Sequence, residues 1–149
     1  MSTGIGIEIA REAGDDLVAA FGRLLPQLSA RAVPLDREAL ERLLGCNANT
    51  LLIARDDEQI IGMLTLVLVP LPSGVRGHIE DVVVDESARG RGVGGGLITE
   101  ALRIAGQAGA RTVDLTSRPS RESANRLYEQ AGFRRRESNL YRFEFAAAR

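Results

Sequence analysis

The chain has 149 residues, with 19 basic and 20 acidic side chains, and every basic one is an arginine. Without lysine there is no Schiff-base nucleophile, no pyridoxal-phosphate anchor and no P-loop lysine for a nucleoside triphosphate. A formal net charge of −1 excludes nucleic-acid binding that relies on overall basicity, and the length fits one domain over residues 1–149. Ile5, Ile7 and Ile9 alternate, which predicts a half-buried first strand. Asp15 or Asp16 is expected to cap a helix carrying Leu17, Phe21, Leu24, Leu25 and Leu28, with Pro26 limiting its end. Asp36 is the N-cap candidate for a second helix with Leu40, Leu43 and Leu44 on one face and Gly45 as its stop. Residues 50–54 and 60–69 read as a hairpin around a polar turn, ended by Pro70 and Pro72, which cannot donate to a central ladder. A strand over 78–85 leads into a glycine-rich turn and a helix through Leu97, Ile98, Ala101, Leu102 and Ala105 that stops near Gly109. Val113 and Leu115 suggest a fifth strand, Ser120 or Ser123 opens a helix stopping at Gly132, and residues 138–145 alternate as a last strand. The order predicts a mixed α/β fold.

Cys46 has no second cysteine to pair with, so a reducing compartment is expected. Nothing in the spacing brings it to His78, the one histidine, to make a nucleophile. No apolar run reaches the roughly 18 residues of a membrane span, and the N-terminus lacks a basic–apolar–small leader pattern. A cytoplasmic protein without membrane or nucleic-acid partner is the expectation.

The segment His78-Ile79-Glu80-Asp81-Val82-Val83-Val84-Asp85 followed by Arg89-Gly90-Arg91-Gly92-Val93-Gly94-Gly95-Gly96 is the most informative. A strand, a turn and glycines opening an apolar helix form a phosphate cradle, because the first helical N–H groups lack intrahelical partners and the dipole favours an anion. Arg89 and Arg91 add donors suited to phosphate. Gly90-x-Gly92-x-x-Gly95 also satisfies a dinucleotide fingerprint, with Asp114 near the end of the next strand. However, Glu86 to Arg89 separate strand from glycine, and too little chain follows Gly96 for a doubly wound domain.

Arg89-x-x-Gly92-x-Gly94 after an apolar strand resembles the acyl-CoA pyrophosphate loop of the GNAT superfamily of N-acetyltransferases. Ala124-Asn125-Arg126-Leu127-Tyr128-Glu129-Gln130-Ala131-Gly132-Phe133 resembles its A-x-x-L-Y-E-x-x-G-F segment, and the element order matches over nearly the whole chain. Within the superfamily, Gly77 to Val84 is similar to glucosamine-6-phosphate N-acetyltransferases. The resemblance implies a mostly antiparallel central sheet with a splayed parallel pair and flanking helices. It implies acetyl-CoA as cosubstrate and direct transfer to an amine, with no metal. Backbone of Val82, Val83 and Val84 would pair with pantetheine, and the Val82 N–H would polarise the thioester carbonyl. Arg89, Gly90, Arg91, Gly92, Val93, Gly94 and Gly95 would hold the pyrophosphate.

The resemblance, together with the chemistry of amine acylation, implies the remaining roles. An alkylammonium has a pKa near ~10, so the acceptor must lose a proton before attack. Glu80 and Asp81 are adjacent on a strand and are expected on opposite faces; the resemblance favours Glu80 for the amine and leaves Asp81 structural or substrate-binding. His78 shares the Glu80 face, and Arg76 lies close by for an anionic acceptor. Tyr128 is the candidate acid for the departing thiolate. Arg121 occupies the position, seven residues before Tyr128, where many members carry an asparagine for the CoA arm. The acceptor is expected to be a small amine, such as an amino-sugar phosphate; a peptide N-terminus, or a non-catalytic acyl-CoA sensor, are the alternatives. The resemblance leaves a homodimer open.

Overall fold

Alternating apolar residues form five strands, and the helices between them cover both faces of the resulting sheet. The computed structural model describes residues 4–146. In chain order it contains β1 (Ile5–Ile9), α1 (Asp15–Leu28), α2 (Arg37–Gly45), β2 (Asn49–Asp56), β3 (Gln59–Leu71), β4 (Gly74–Val84), α3 (Val93–Gln107), β5 (Thr112–Asp114) and α4 (Glu122–Gln130). A short 3-10 turn, Glu86–Ala88, precedes α3. The strands lie in sequence order and pair antiparallel, except that β4 and β5 are parallel. The architecture is therefore the mixed, mostly antiparallel sheet expected.

Period-two patterning divides the core into two. Leu52, Ala54, Leu64, Leu66 and Ile79 face α3 and Tyr128 of α4, together with Leu97, Ile98, Ala101 and Ala105. Leu51, Ile53, Ile60, Met63 and Val83 face Leu17, Ala20, Phe21 and Leu24 of α1 and Leu40 of α2. Burying one such leucine stabilises by about 1.5–3 kcal/mol.

Several termini differ from expectation for local reasons. Gly14, not Asp15 or Asp16, is the N-cap of α1. Asp16 lies in the first turn, where its carboxylate meets the Leu17 N–H at 2.8 Å and Arg55 of β2 at 2.8 Å. Pro26 lies in the last turn of α1, where it forgoes only one helical bond, so the helix runs on to Leu28. Asp36 caps α2 as predicted, accepting from the Ala39 N–H at 2.8 Å. Strand β3 passes through Pro70, which pairs with Val75 of β4. The Leu68 N–H points to the β2 side, reaching the Ala48 carbonyl at 2.8 Å; two residues on, Pro70 faces the same side beyond the end of β2, where no donor is needed. Neither serine caps α4; Arg121 occupies the N-cap without a side-chain bond. The predicted last strand is absent: residues 134–146 form no helix or strand, and Leu140, Tyr141, Phe143 and Phe145 are 71–87% exposed.

Candidate functional site

The glycine-rich turn takes its shape from two kinds of glycine. Gly90 and Gly92 have φ of +81° and +79°, a left-handed conformation that side chains disfavour, with open space where a Cβ would stand. Gly92 caps α3 without any side-chain hydrogen bond, and the helical ladder begins only with the Gly96 N–H on the Gly92 carbonyl at 3.0 Å. The N–H groups of Val93, Gly94 and Gly95 thus lack helical partners, and the first turn carries no acidic residue to oppose an anion. Gly94 serves packing: a Cβ there would come within 3.2 Å of Leu127 on α4. The Val93 side chain is buried against Gly62 of β3, where an added Cβ would meet it at 3.0 Å, so Val93 offers the site only backbone.

The two loop arginines are not equivalent. Arg91 pairs with Asp56 at 2.9 Å, tying the loop to the β2–β3 turn, while the other Asp56 oxygen is buried without a partner. Arg89 is exposed and makes no ion pair among the described residues.

Strand β4 presents its residues through a bulge. Thr65 pairs with Glu80 and Met63 with Val83, so Asp81 and Val82 together oppose Leu64 alone. Asp81 takes φ of +52°, left-handed backbone that aspartate tolerates better than most residues. Side-chain parity changes there: Ile79 packs toward α3, and so do Val82 and Val84, while Val83 packs toward α1. The simple opposition of Glu80 and Asp81 expected from a regular strand is therefore replaced by a turn-like step. Arg76, His78 and Glu80 share the face opposite Ile79, beside Val69, Val67 and Thr65, which are only half-buried. Parallel pairing places Thr112 beside Arg76 and Asp114 beside His78. It ends there, leaving the backbone of Val82 to Val84 unpaired toward β5.

Helix α4 closes with a Schellman motif. Gly132 has φ of +104°, its N–H reaches the Glu129 carbonyl at 3.1 Å, and the Phe133 N–H reaches the Tyr128 carbonyl at 3.0 Å. This folds Phe133 back onto Tyr128, edge to face, with ring centroids 6.2 Å apart. Tyr128 is 7% exposed in the α3-side core, against which Val82 and Val84 also pack. Tyr128 and Glu80 consequently belong to opposite faces of the sheet, whose β4–β5 pairing ends at His78 and Asp114. Asn125 donates to the Arg118 carbonyl at 3.0 Å, holding the segment that leads into α4, and Arg121 is exposed. Sequence reasoning passed over Asp114 as a neighbour of His78, because strand pairing is not written in either strand. It also passed over Ser117, whose hydroxyl is buried without a partner in the segment leaving β5. The shallow depressions at the β1–α1 end, lined by Arg11, Glu12 and Glu41 among others, contain none of these residues. No group of three or more His, Cys, Asp or Glu among the described residues is arranged to hold a metal ion.

An uncapped glycine helix start beside an unpaired strand edge agrees with a family model described as the acetyltransferase (GNAT) family, which matches residues 15–133. The chain belongs to this family. Among curated GNAT relatives, it is 40% identical to glucosamine 6-phosphate N-acetyltransferase of Trypanosoma brucei brucei over 85 residues, covering 55% of this chain. That match spans 56% of the trypanosome protein's length. A second relative, described as probable glucosamine 6-phosphate N-acetyltransferase 2 of Oryza sativa subsp. japonica, is 34% identical over 88% of this chain and 84% of its own. The fold is similar to a solved structure titled as a transcriptional regulator from Bacillus halodurans C-125, with a TM-score of 0.80 and 29% identity over 95% of this chain and 100% of that one.

Proposed function

We propose that this GNAT chain acts as one domain that transfers an acetyl group from acetyl-CoA to the amine of a small anionic acceptor of the amino-sugar-phosphate class. The observation that carries it is the continuity of the unpaired β4 edge with the uncapped start of α3. A pantetheine arm needs backbone partners along the first, and a pyrophosphate needs converging N–H groups at the second.

In this reading Val82 to Val84 pair with the arm, and the Val82 N–H meets the thioester oxygen as charge develops on it. Glu80 takes the ammonium proton directly or through water, so that the amine attacks the carbonyl carbon. Tyr128, on the other face, gives its proton to the departing thiolate. Gly90 to Gly95, Arg89 and Arg91 receive the pyrophosphate, with Arg91 exchanging or sharing its Asp56 partner, and Arg121, in place of the usual asparagine, meets a cofactor phosphate. Arg76, His78 and Asp81 face the acceptor, where Arg76 supplies charge for a phosphate. The names of the trypanosome and rice relatives support this acceptor class.

A thiol-release assay with acetyl-CoA across an amine panel including glucosamine 6-phosphate tests the proposal. Turnover on the phosphorylated amino sugar above neutral amines and peptide N-termini is expected. Preference for a peptide would overturn the acceptor, and tight acetyl-CoA binding without turnover on any amine would make the chain a binding module. Absence of acetyl-CoA binding by calorimetry would remove the reading altogether.

We also propose a homodimer. Residues 138–145 carry a one-sided aromatic row, Tyr141, Phe143 and Phe145, while β5 leaves one sheet edge free. A second copy supplies a free sheet edge for each tail, so one two-fold exchange covers both aromatic rows.

A further inference from the structure

The link between β4 and the glycine loop is held from outside the loop, by α1. Asp85 directly follows β4, is 7% exposed, and is the one buried charged residue among those described. Its carboxylate caps the 3-10 turn, accepting from the Ser87 N–H at 3.1 Å and the Ser87 hydroxyl at 3.0 Å. Arg23, on α1, reaches the same carboxylate with Nε at 3.5 Å and donates through its terminal nitrogen to the Ile60 carbonyl of β3 at 2.6 Å. One turn further along α1, the Gln27 side-chain oxygen accepts from the Glu86 N–H at 3.0 Å. The Asp85 N–H is already committed to the Ile61 carbonyl at 2.8 Å. Asp85 and Glu86 are thus fixed from two sides immediately before the loop, and the loop's own Gly90 and Gly92 bring no packing of their own.

We infer that Arg23 and Gln27 are positioning residues for the acetyl-CoA loop, on the reading that this loop receives the cofactor: from α1, on the opposite sheet face to α3, they set where the loop begins. Neither residue belongs to the loop or to its helix. Their removal lets Glu86 to Gly92 sample more conformations, and the donor N–H groups must then be reordered at each binding event. Donor affinity falls, while the chemistry of an already bound complex does not change.

The decisive variants are Gln27→Met, which keeps the length and removes the acceptor, and Arg23→Ala, which removes both arginine contacts. One lost hydrogen bond corresponds to about five-fold in affinity. The expected result is a KM for acetyl-CoA raised about three- to ten-fold, with kcat at saturating donor within about two-fold of wild type. Amide hydrogen exchange over residues 86–92 is expected to speed up in the same variants. An unchanged KM with unchanged exchange in Gln27→Met, a substitution at a half-buried position of α1, or a fall in kcat alone, would overturn the inference. Should the wild-type chain bind no acetyl-CoA, the cofactor reading fails by itself. Exchange over 86–92 would then still decide the clamp: faster exchange in the variants sustains it, and unchanged exchange removes it.

Discussion

Gly92 and Gly95 lie three residues apart in one glycine-rich run, yet a methyl group has a different consequence at each. At Gly92 the left-handed backbone makes alanine cost about 1–2 kcal/mol, and the relaxed loop would misdirect the free N–H groups. At Gly95 the backbone is helical and the nearest side-chain atom is Leu127 Cδ1 at 3.6 Å, an ordinary contact. Gly92→Ala should therefore lower both the thermal midpoint and acetyl-CoA affinity, whereas Gly95→Ala should raise the unfolding free energy by up to about 1 kcal/mol. Calorimetry and urea titration of the two variants check this. Tyr128 makes a separate point: its ring is core, edge-on to Phe133, and only its hydroxyl is assigned to chemistry. Tyr128→Phe keeps the ring packing, so turnover should fall on the order of 100-fold with acetyl-CoA affinity unchanged. An unaltered kcat would remove the acid role. The tyrosine and glycines were legible from sequence because their spacing is local; the partner of Arg91, Asp56 at the end of β2 and 35 residues earlier in the chain, was not.

Elements meet at Asp85, where β4, the 3-10 turn and α1 converge. The Ser87 N–H first, then the Ser87 hydroxyl and Arg23, hold the Asp85 carboxyl below its ordinary value, against the opposing push of burial. A carboxylate lowered in the folded state stabilises above its unfolded value, near ~3.9, and that contribution is lost as pH falls through the folded value. The difference in unfolding free energy between wild type and Asp85→Asn should be constant from neutral pH down to about 5, then close below about pH 4. Urea titrations of both proteins across that range measure it; a difference that persists undiminished in acid would mean that Asp85 acts by shape alone. Strand β4 shows that a strand's existence is readable while its start and its inside are not: the sequence predicts it over 78–85, but it begins at Gly74. The hydrophobic alternation located the strand, but a single extra residue at Asp81 exchanges the faces of everything after it. No residue type in that stretch demanded the bulge, because aspartate reaches positive φ without announcing it.

At the scale of the whole molecule, the sheet places Glu80 and Tyr128 on opposite faces and stops β4–β5 pairing at His78 and Asp114. On the proposed reading, the substrates that meet both side chains do so beyond the point where that pairing ends. No helix among the described residues is long and apolar enough to cross a membrane. The exposed tail bears on assembly. Deleting residues 138–149 should convert a species of twice the chain mass into a monomer in light scattering at micromolar concentration. A full-length chain already monomeric there would overturn the exchange. Three aromatic side chains at 81–87% exposure are more apolar surface than one short segment usually leaves to water.

By itself the sequence determined the order of elements as far as α4, the glycine turn, the Tyr128 segment and the closing Gly132, because periodicity and turn chemistry act over a few residues. It also determined, by lacking lysine, which covalent chemistries were closed to the chain. Tertiary structure decided the bulge at Asp81, the end of β4–β5 pairing, the Arg91–Asp56 pair and the hold of Arg23 and Gln27 on Asp85 and Glu86. Each of those joins residues from separate elements or depends on which strands lie side by side. Their energies come from neighbours that only the folded chain brings together.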